Sequence, residues 1–384
     1  MCLRNAIVVF LKYKYVPSDF NNQNDRKMKK IFLTFIALLF LFAFQNTKAD
    51  VEFANGSFSE IVEKAKLENN IIMIDFVTDW CKWCVETDRK VYTNAEVYAF
   101  ANANQINWKI DAEKGEGPDL AKKYGVKGYP TIVFTQPDGA EIDRIYGYLP
   151  AEQFLTRMKE YHSGVNTFGA LKKAVEDNPD DPAANFNFAD KIVSNGLEGD
   201  PKIYLTKTIT NDPGNTAGYT DDAKFLLAYL NEDESALSAA LKEYPTSNKA
   251  KDAYMNLASF YAGKPDFKMA DAMYKEAFKN FGENDFDLRQ GYGGLLLGEA
   301  YATMKDEKAT AAKRKEAIAV LENCLPYVKG TVNEASAYYI MSDLYLQNKD
   351  FKMADQCIDK SILIYDKKSY RDQKEKIGKQ KASK

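Results

Sequence analysis

Residues 71–84 of the chain read Ile-Ile-Met-Ile-Asp-Phe-Val-Thr-Asp-Trp-Cys-Lys-Trp-Cys. An apolar run (Ile71, Ile72, Met73, Ile74, Phe76, Val77) that gives way at once to a polar, helix-compatible stretch predicts a strand leading directly into a helix. Cys81 and Cys84 then occupy the first turn of that helix. There the unpaired backbone N–H groups and the macrodipole favour an anion, so the Cys81 thiolate is stabilised relative to the thiol. The i, i+3 spacing places Cys84 over Cys81 on one face, close enough to form a small disulfide ring and to resolve a mixed disulfide. The pattern predicts thiol–disulfide exchange.

Two other uses of a dithiol fit less well. A zinc site needs about four ligands, and the chain has no second cysteine pair and a single histidine, His162. No metal is therefore expected. A structural disulfide closing so short a loop stabilises little, because the entropic benefit grows with loop length.

Further along, Gly128-Tyr129-Pro130-Thr131 precedes the apolar strand Ile132-Val133-Phe134. With Asp75 six residues before Cys81 and Trp80 immediately before it, the stretch from about 52 to 162 resembles the thioredoxin superfamily. Within it, the stretch is most similar to the thioredoxin-like domains of secreted bacterial proteins and to the C-terminal domain of the periplasmic reductant conductor DsbD. The resemblance implies that Cys81 is the exposed attacking thiolate and Cys84 the buried resolving thiol. It implies that Asp75 is a buried carboxylate beneath the pair, its pKa raised by burial, which accepts the Cys84 proton through water. It also implies a cis Pro130 beside which an extended substrate pairs, with Trp80, Tyr129 and Thr131 at the groove. Trp83, between the cysteines, is expected to add to a hydrophobic docking surface. No cofactor beyond the Cys81–Cys84 pair is expected. The Lys82-Trp83 dipeptide departs from the Gly-Pro of thioredoxin and from the His-bearing pair of strong oxidants. That absence of histidine points to a low-potential reductase, although Lys82 can itself lower the thiol pKa.

Before this region, Met28-Lys29-Lys30, an apolar run from Ile31 to Phe44 and Thr47-Lys48-Ala49 match a secretory signal peptide over 28–49, with residues 1–27 upstream of the expected start. The apolar run is short for a membrane span. The expectation is a periplasmic or secreted protein, membrane-anchored if uncleaved. Residues 1–49 carry eight of the 52 basic and two of the 55 acidic side chains, leaving 44 against 53. A mature chain near −9 argues against nucleic acid or an anionic membrane surface as partner. The remaining length suffices for two domains, placed at 50–164 and 165–384.

In the first, Ser57 begins a helical stretch, Asn94 to Ala103 reads as a helix and Ile106 to Ile110 as a strand. A short helix from Pro118 to Tyr124 ends at Gly125, and Pro137-Asp138-Gly139 turns strand Thr131–Thr135 into strand Glu141–Tyr146. Pro150 opens the last helix, with His162 expected on the surface at its end. The order βα, βα, ββα around a mixed sheet matches the α/β thioredoxin fold.

From about Val165 the strand signals stop. Lys264-Pro-Asp266-Phe-Lys-Met-Ala270-Asp returns 84 residues later as Asn348-Lys-Asp350-Phe-Lys-Met-Ala354-Asp, which predicts an all-α helical solenoid. Leu257, Ala258, Tyr261, Ala270, Tyr274 and Ala277, and again Met341, Ser342, Tyr345, Ala354, Ile358 and Ser361, resemble the packing positions of the tetratricopeptide repeat (TPR). A third copy starts at Leu297-Gly298 and Tyr301 and resumes at Ala317, Leu321 and Cys324 after an insertion of about seven residues. Phe188, Ala189, Ile192, Leu205 and Pro213 fit a weaker copy. Cys324 is expected to be buried and inert; the state of Cys357, and a Cys324–Cys357 disulfide, are left open by the sequence.

Together these features imply an exported thiol–disulfide oxidoreductase acting on protein disulfides through Cys-Lys-Trp-Cys. A membrane electron donor would be supplied in trans, and the repeats would hold a protein partner. The alternative is a repeat-based binding or scaffold protein in which the dithiol is residual or regulatory. The intact set of Asp75, Trp80, Cys81, Cys84 and Pro130 speaks against it.

Overall fold

The computed structural model describes residues 50–382; the expected signal peptide and the residues upstream of it lie outside the described residues. Strand β1 (Phe53–Ala54) leads into helix α1 (Phe58–Glu68), whose start is fixed by a reciprocal Ser57/Glu60 capping box. Next come β2 (Ile71–Val77), α2 (Lys82–Lys90), α3 (Ala95–Asn104), β3 (Gln105–Asp111) and α4 (Gly117–Lys123). The hairpin of β4 (Thr131–Thr135) and β5 (Glu141–Tyr146) and helix α5 (Ala151–Ser163) complete the unit. The sheet order is β1-β3-β2-β4-β5, with β3 parallel to β1 and β2, and β4 antiparallel to β2 and β5. Strand β1 was not anticipated, since two residues are too short to carry a periodicity. Burial on both faces explains why β2 is apolar at nearly every position rather than alternating. Met73 packs with Phe134, Phe154 and Met158 on one side, and Ile72, Ile74 and Phe76 with Ile61 and Trp108 on the other.

The surface placement expected for His162 is not observed. Helix α5 lies against α3 and β3, so the imidazole is half-buried, bonded to Gln105 Oε1 at 2.8 Å and edge-on to Phe100. Burial lowers its pKa.

The rest of the described chain is helical: α6 (Phe168–Asp177), α7 (Pro182–Ser194), α8 (Pro201–Asn211), α9 (Thr220–Leu230), α10 (Glu234–Glu243), α11 (Ala250–Gly263), α12 (Phe267–Phe281), α13 (Phe286–Lys305), α14 (Ala311–Val328), α15 (Val332–Gln347), α16 (Phe351–Ile364) and α17 (Lys368–Ala382). From α7 onward these pack as successive helical hairpins, giving a TPR-like array. The sequence repeat has a structural cause: Asp266 and Asp350 cap α12 and α16, accepting from Met269 N and Met353 N at 3.1 and 3.0 Å, and Ala270 and Ala354 are fully buried one turn on. The seven-residue insertion is divided between the end of α13, a longer connecting loop and extra helix at the start of α14. Cys324 and Cys357 are both free and buried, and burial pushes their thiols up to about 12 and about 11. Among the described residues no helix is long and apolar enough to cross a membrane.

The array is tied to the sheet through Asp143 of β5. Its buried carboxylate accepts from Phe168 N at 2.9 Å and Asn195 Nδ2 at 2.7 Å and pairs with Lys191 Nζ at 3.0 Å. A charge this deeply buried is tolerable only because every side of it is occupied by a donor.

Candidate active site

Cys81 is the N-cap residue of α2: its backbone is extended (φ −75°, ψ 96°) and its Sγ accepts the Cys84 N–H at 3.0 Å. The two cysteines form a disulfide, with Cα atoms 5.3 Å apart. The expected contrast between an exposed Cys81 and a buried Cys84 is absent, since both are 4% exposed. The disulfide turns the Cys81 sulfur inward onto the first helical turn, where an amide already engages it. The placement itself suits a thiolate, which would find unpaired N–H groups and the positive end of the helix dipole.

Asp75, in mid-strand on β2, is 1% exposed. Its carboxyl is pushed up to about 6, chiefly by burial, against the pull of Lys109, whose ammonium stands 3.5 Å from Oδ2. Oδ1 and the nearby Tyr92 hydroxyl are buried without hydrogen-bond partners, and burial and the facing Asp75 push Tyr92 upward too. Lys109 was not singled out from the sequence, although a lone cation inside the apolar stretch Ile106–Ile110 was visible. The parallel register pairs it with Asp75. Burial pulls the Lys109 ammonium down, but Asp75 and Asp88 together outweigh it and its pKa is raised.

On one flank of the dithiol, Trp80 is 67% exposed, donates its indole N–H to the Glu113 carboxylate at 3.0 Å and meets the Tyr129 ring edge-on at 5.7 Å. The Tyr129–Pro130 peptide is cis. Thr131 does not face a groove: its side chain is fully buried and its hydroxyl donates to Gly128 O at 2.7 Å, tying the preceding loop to the strand. On the other flank Trp83 is half-buried, its ring 5.4 Å from Tyr148, which in turn lies 5.8 Å from Phe286 of α13. Tyr148 and Phe286 carry no sequence signature of their own; only the fold brings them here. Among the described residues no group of three or more His, Cys, Asp or Glu is placed to hold a metal ion.

A family model described as a thioredoxin-like domain matches residues 58–162. This segment is a thioredoxin-like domain. It is 32% identical over 98 residues to the thiol:disulfide interchange protein DsbD of Yersinia pestis, covering 25% of this chain and 16% of that protein. The chain thus spans a small part of the length of the curated relatives it matches. Among solved structures, the oxidised C-terminal domain of DsbD from Neisseria meningitidis is 22% identical, with 29% of this chain and 99% of that one covered and a TM-score of 0.26. Over the helical region, a tetratricopeptide repeat protein from Parabacteroides merdae is 13% identical, with 59% and 81% covered and a TM-score of 0.33.

Proposed function

We propose that the chain is an exported thiol–disulfide oxidoreductase whose thioredoxin-like domain reduces or isomerises protein disulfides. The observation that carries this reading is a dithiol at a helix N-cap, at the end of a strand whose one carboxyl, Asp75, is buried and pushed up to about 6 by that burial. The Cys81 thiolate attacks one sulfur of the substrate disulfide, forming the Cys81–substrate bond and expelling the other sulfur as a thiolate. Asp75, acting through water, takes the Cys84 proton, and the Cys84 thiolate then attacks Cys81 Sγ. The substrate leaves with two electrons, its thiolates taking up two protons, and the Cys81–Cys84 disulfide remains. A donor supplied in trans must return the two electrons, because the proposed compartment, the periplasm, is kept oxidising. The helical array is the proposed seat of protein partners.

The deciding measurement is equilibration of residues 50–384 against dithiothreitol, read by fluorescence of Trp80 and Trp83. A potential near thioredoxin's, about −270 mV, supports a reductase; one near about −120 mV makes the protein an oxidant and refutes the reading. A Cys84→Ser variant should trap a mixed disulfide visible without reductant, and Cys81→Ser should trap none.

A further inference from the structure

Helix α2 meets the helical array along a stripe that is buried at its centre, Glu86, and exposed at its two ends, Lys82 and Arg89. Lys82, Glu86 and Arg89 follow each other at i, i+4 and i+7, the spacing of one stripe on a helix. Lys82 Nζ donates to Asn333 Oδ1 at 2.9 Å, Val332 N donates to Glu86 Oε2 at 3.2 Å, and Arg89 Nη1 donates to Ile364 O at 3.4 Å. These contacts are dry at their centre: Glu86 is 0%, Val332 1% and Asn333 3% exposed. Val332 is the first residue of α15, so the Glu86 carboxylate sits where a helix N-terminus favours an anion. Beside this stripe runs the tier Trp83–Tyr148–Phe286, which carries the contact up to the dithiol loop. Asn333 is further linked to Gln290 at 3.5 Å, and Gln290 to Tyr327 O at 3.2 Å, so the polar contact continues into α13 and α14. With Asp143 holding α6 and α7 to edge strand β5, the array is fastened to the thioredoxin-like domain at two separate places.

We propose that the array is a standing wall along the Lys82–Trp83 flank of the dithiol, with Phe286 and Asn333 as specificity-determining residues. A partner then reaches Cys81 only across the open flank of Trp80, Tyr129 and Pro130. It must present its disulfide on an extended, narrow segment, and a folded globular protein seated over α2 is refused. The contrast between exposed Trp80 and half-buried Trp83, two tryptophans on either side of one cysteine, is the direct trace of this asymmetry. The inference rests on the thiol–disulfide exchange reading and names the substrate class of that same site.

The test compares two disulfides offered to the reduced chain, residues 50–384: 5,5′-dithiobis(2-nitrobenzoate), too small to feel a wall, and insulin, a folded protein. The Phe286→Ala/Asn333→Ala variant is expected to raise the insulin-to-small-probe rate ratio at least tenfold, and Phe286→Tyr to keep the wild-type ratio. A ratio unchanged in the double variant, with an active wild type, overturns the wall and leaves the exchange reading standing. A wild type inert toward both probes overturns both. Should the double variant lose its near-ultraviolet circular dichroism, Asn333→Ala alone decides, a threefold rise supporting the wall and no rise overturning it.

Discussion

Replacing Asp75 by asparagine removes a charge and little volume, and its consequence for stability has a definite sign and size. The Asp75 carboxyl is raised from 3.8 to about 6, chiefly because burial strips water from its ionised form. At 1.36 kcal/mol for each tenfold change in proton affinity, that amounts to about 3 kcal/mol. A carboxyl whose folded pKa lies above its unfolded one holds its proton more tightly in the folded state. Its stabilising contribution is thus fully present below about pH 4 and lost as the pH rises through about 6. An asparagine side chain cannot titrate, so the Asp75→Asn variant should gain about 3 kcal/mol on the wild type between pH 4 and pH 8, whatever constant offset the substitution brings. Urea unfolding of oxidised residues 50–384 at a series of pH values measures this. All three tryptophans, Trp80, Trp83 and Trp108, lie in the thioredoxin-like domain, so fluorescence reports that domain and, through Trp83, its seam with the array. A variant-minus-wild-type difference that is flat from pH 4 to pH 8 would refute the reasoning. The same substitution should slow resolution of the mixed disulfide and erase the inflection near pH 6 in the exchange rate.

Lys109→Met removes the cation that opposes the rise of Asp75, so that inflection should move to higher pH; a shift downward would show that Lys109 does not act on the carboxyl. Asp143→Ala leaves Lys191 buried without its counter-ion and should cost about 3–5 kcal/mol in urea unfolding. Gly293→Ala places a methyl inside van der Waals contact of Val328 Cγ1 and should lower the stability of the array by about 1–3 kcal/mol, read from the circular dichroism melt. Cys324 and Cys357 should stay unlabelled by iodoacetamide at pH 8 until denaturant is added, because burial keeps both thiols protonated and covered.

Features set by short-range patterning were legible in the sequence. The strand into the dithiol, the hairpin, the short helix closed by Gly125 (φ +58°) and the repeated motif around Asp266 and Asp350, whose capping role only the structure adds, all come from residues within one or two turns of each other. The TPR-like copies were visible where large and small residues alternate at fixed spacing, as at Leu257, Ala258 and Ala270. The pair α9 and α10 was missed because it lacks a matching run. Elements created by distant chain segments left no local trace. Lys109 faces Asp75 only through the β2–β3 register, and His162 is covered only because α5 packs on α3. Thr131 shares a motif with Tyr129 and Pro130, but it begins β4, which lies between β2 and β5 and is buried at every position, and its hydroxyl turns back to Gly128 O. The charged stripe of Lys82, Glu86 and Arg89 resembles a solvated helix face, and nothing in its composition announces that residues some 250 positions away complete it.

That stripe bears on what the helical array does for the dithiol. A surface ion pair could form and break with little consequence, since such pairs are worth at most about 1 kcal/mol. Glu86 is different: fully buried, it holds the Val332 N–H on one oxygen and Lys90, at 2.5 Å, on the other. Were the array to lift away, α15 would lose its capping anion and Trp83 and Tyr148 their cover, so separation would expose apolar rings and a helix end together. A hinge that swings freely between docked and undocked positions is not built this way. On the proposed exchange reading, the same packing links any rearrangement of Lys82 or Trp83 to Asn333 and Phe286, and through them to the final hairpins of the array, so that an incoming chain would meet the dithiol and the repeats as one surface.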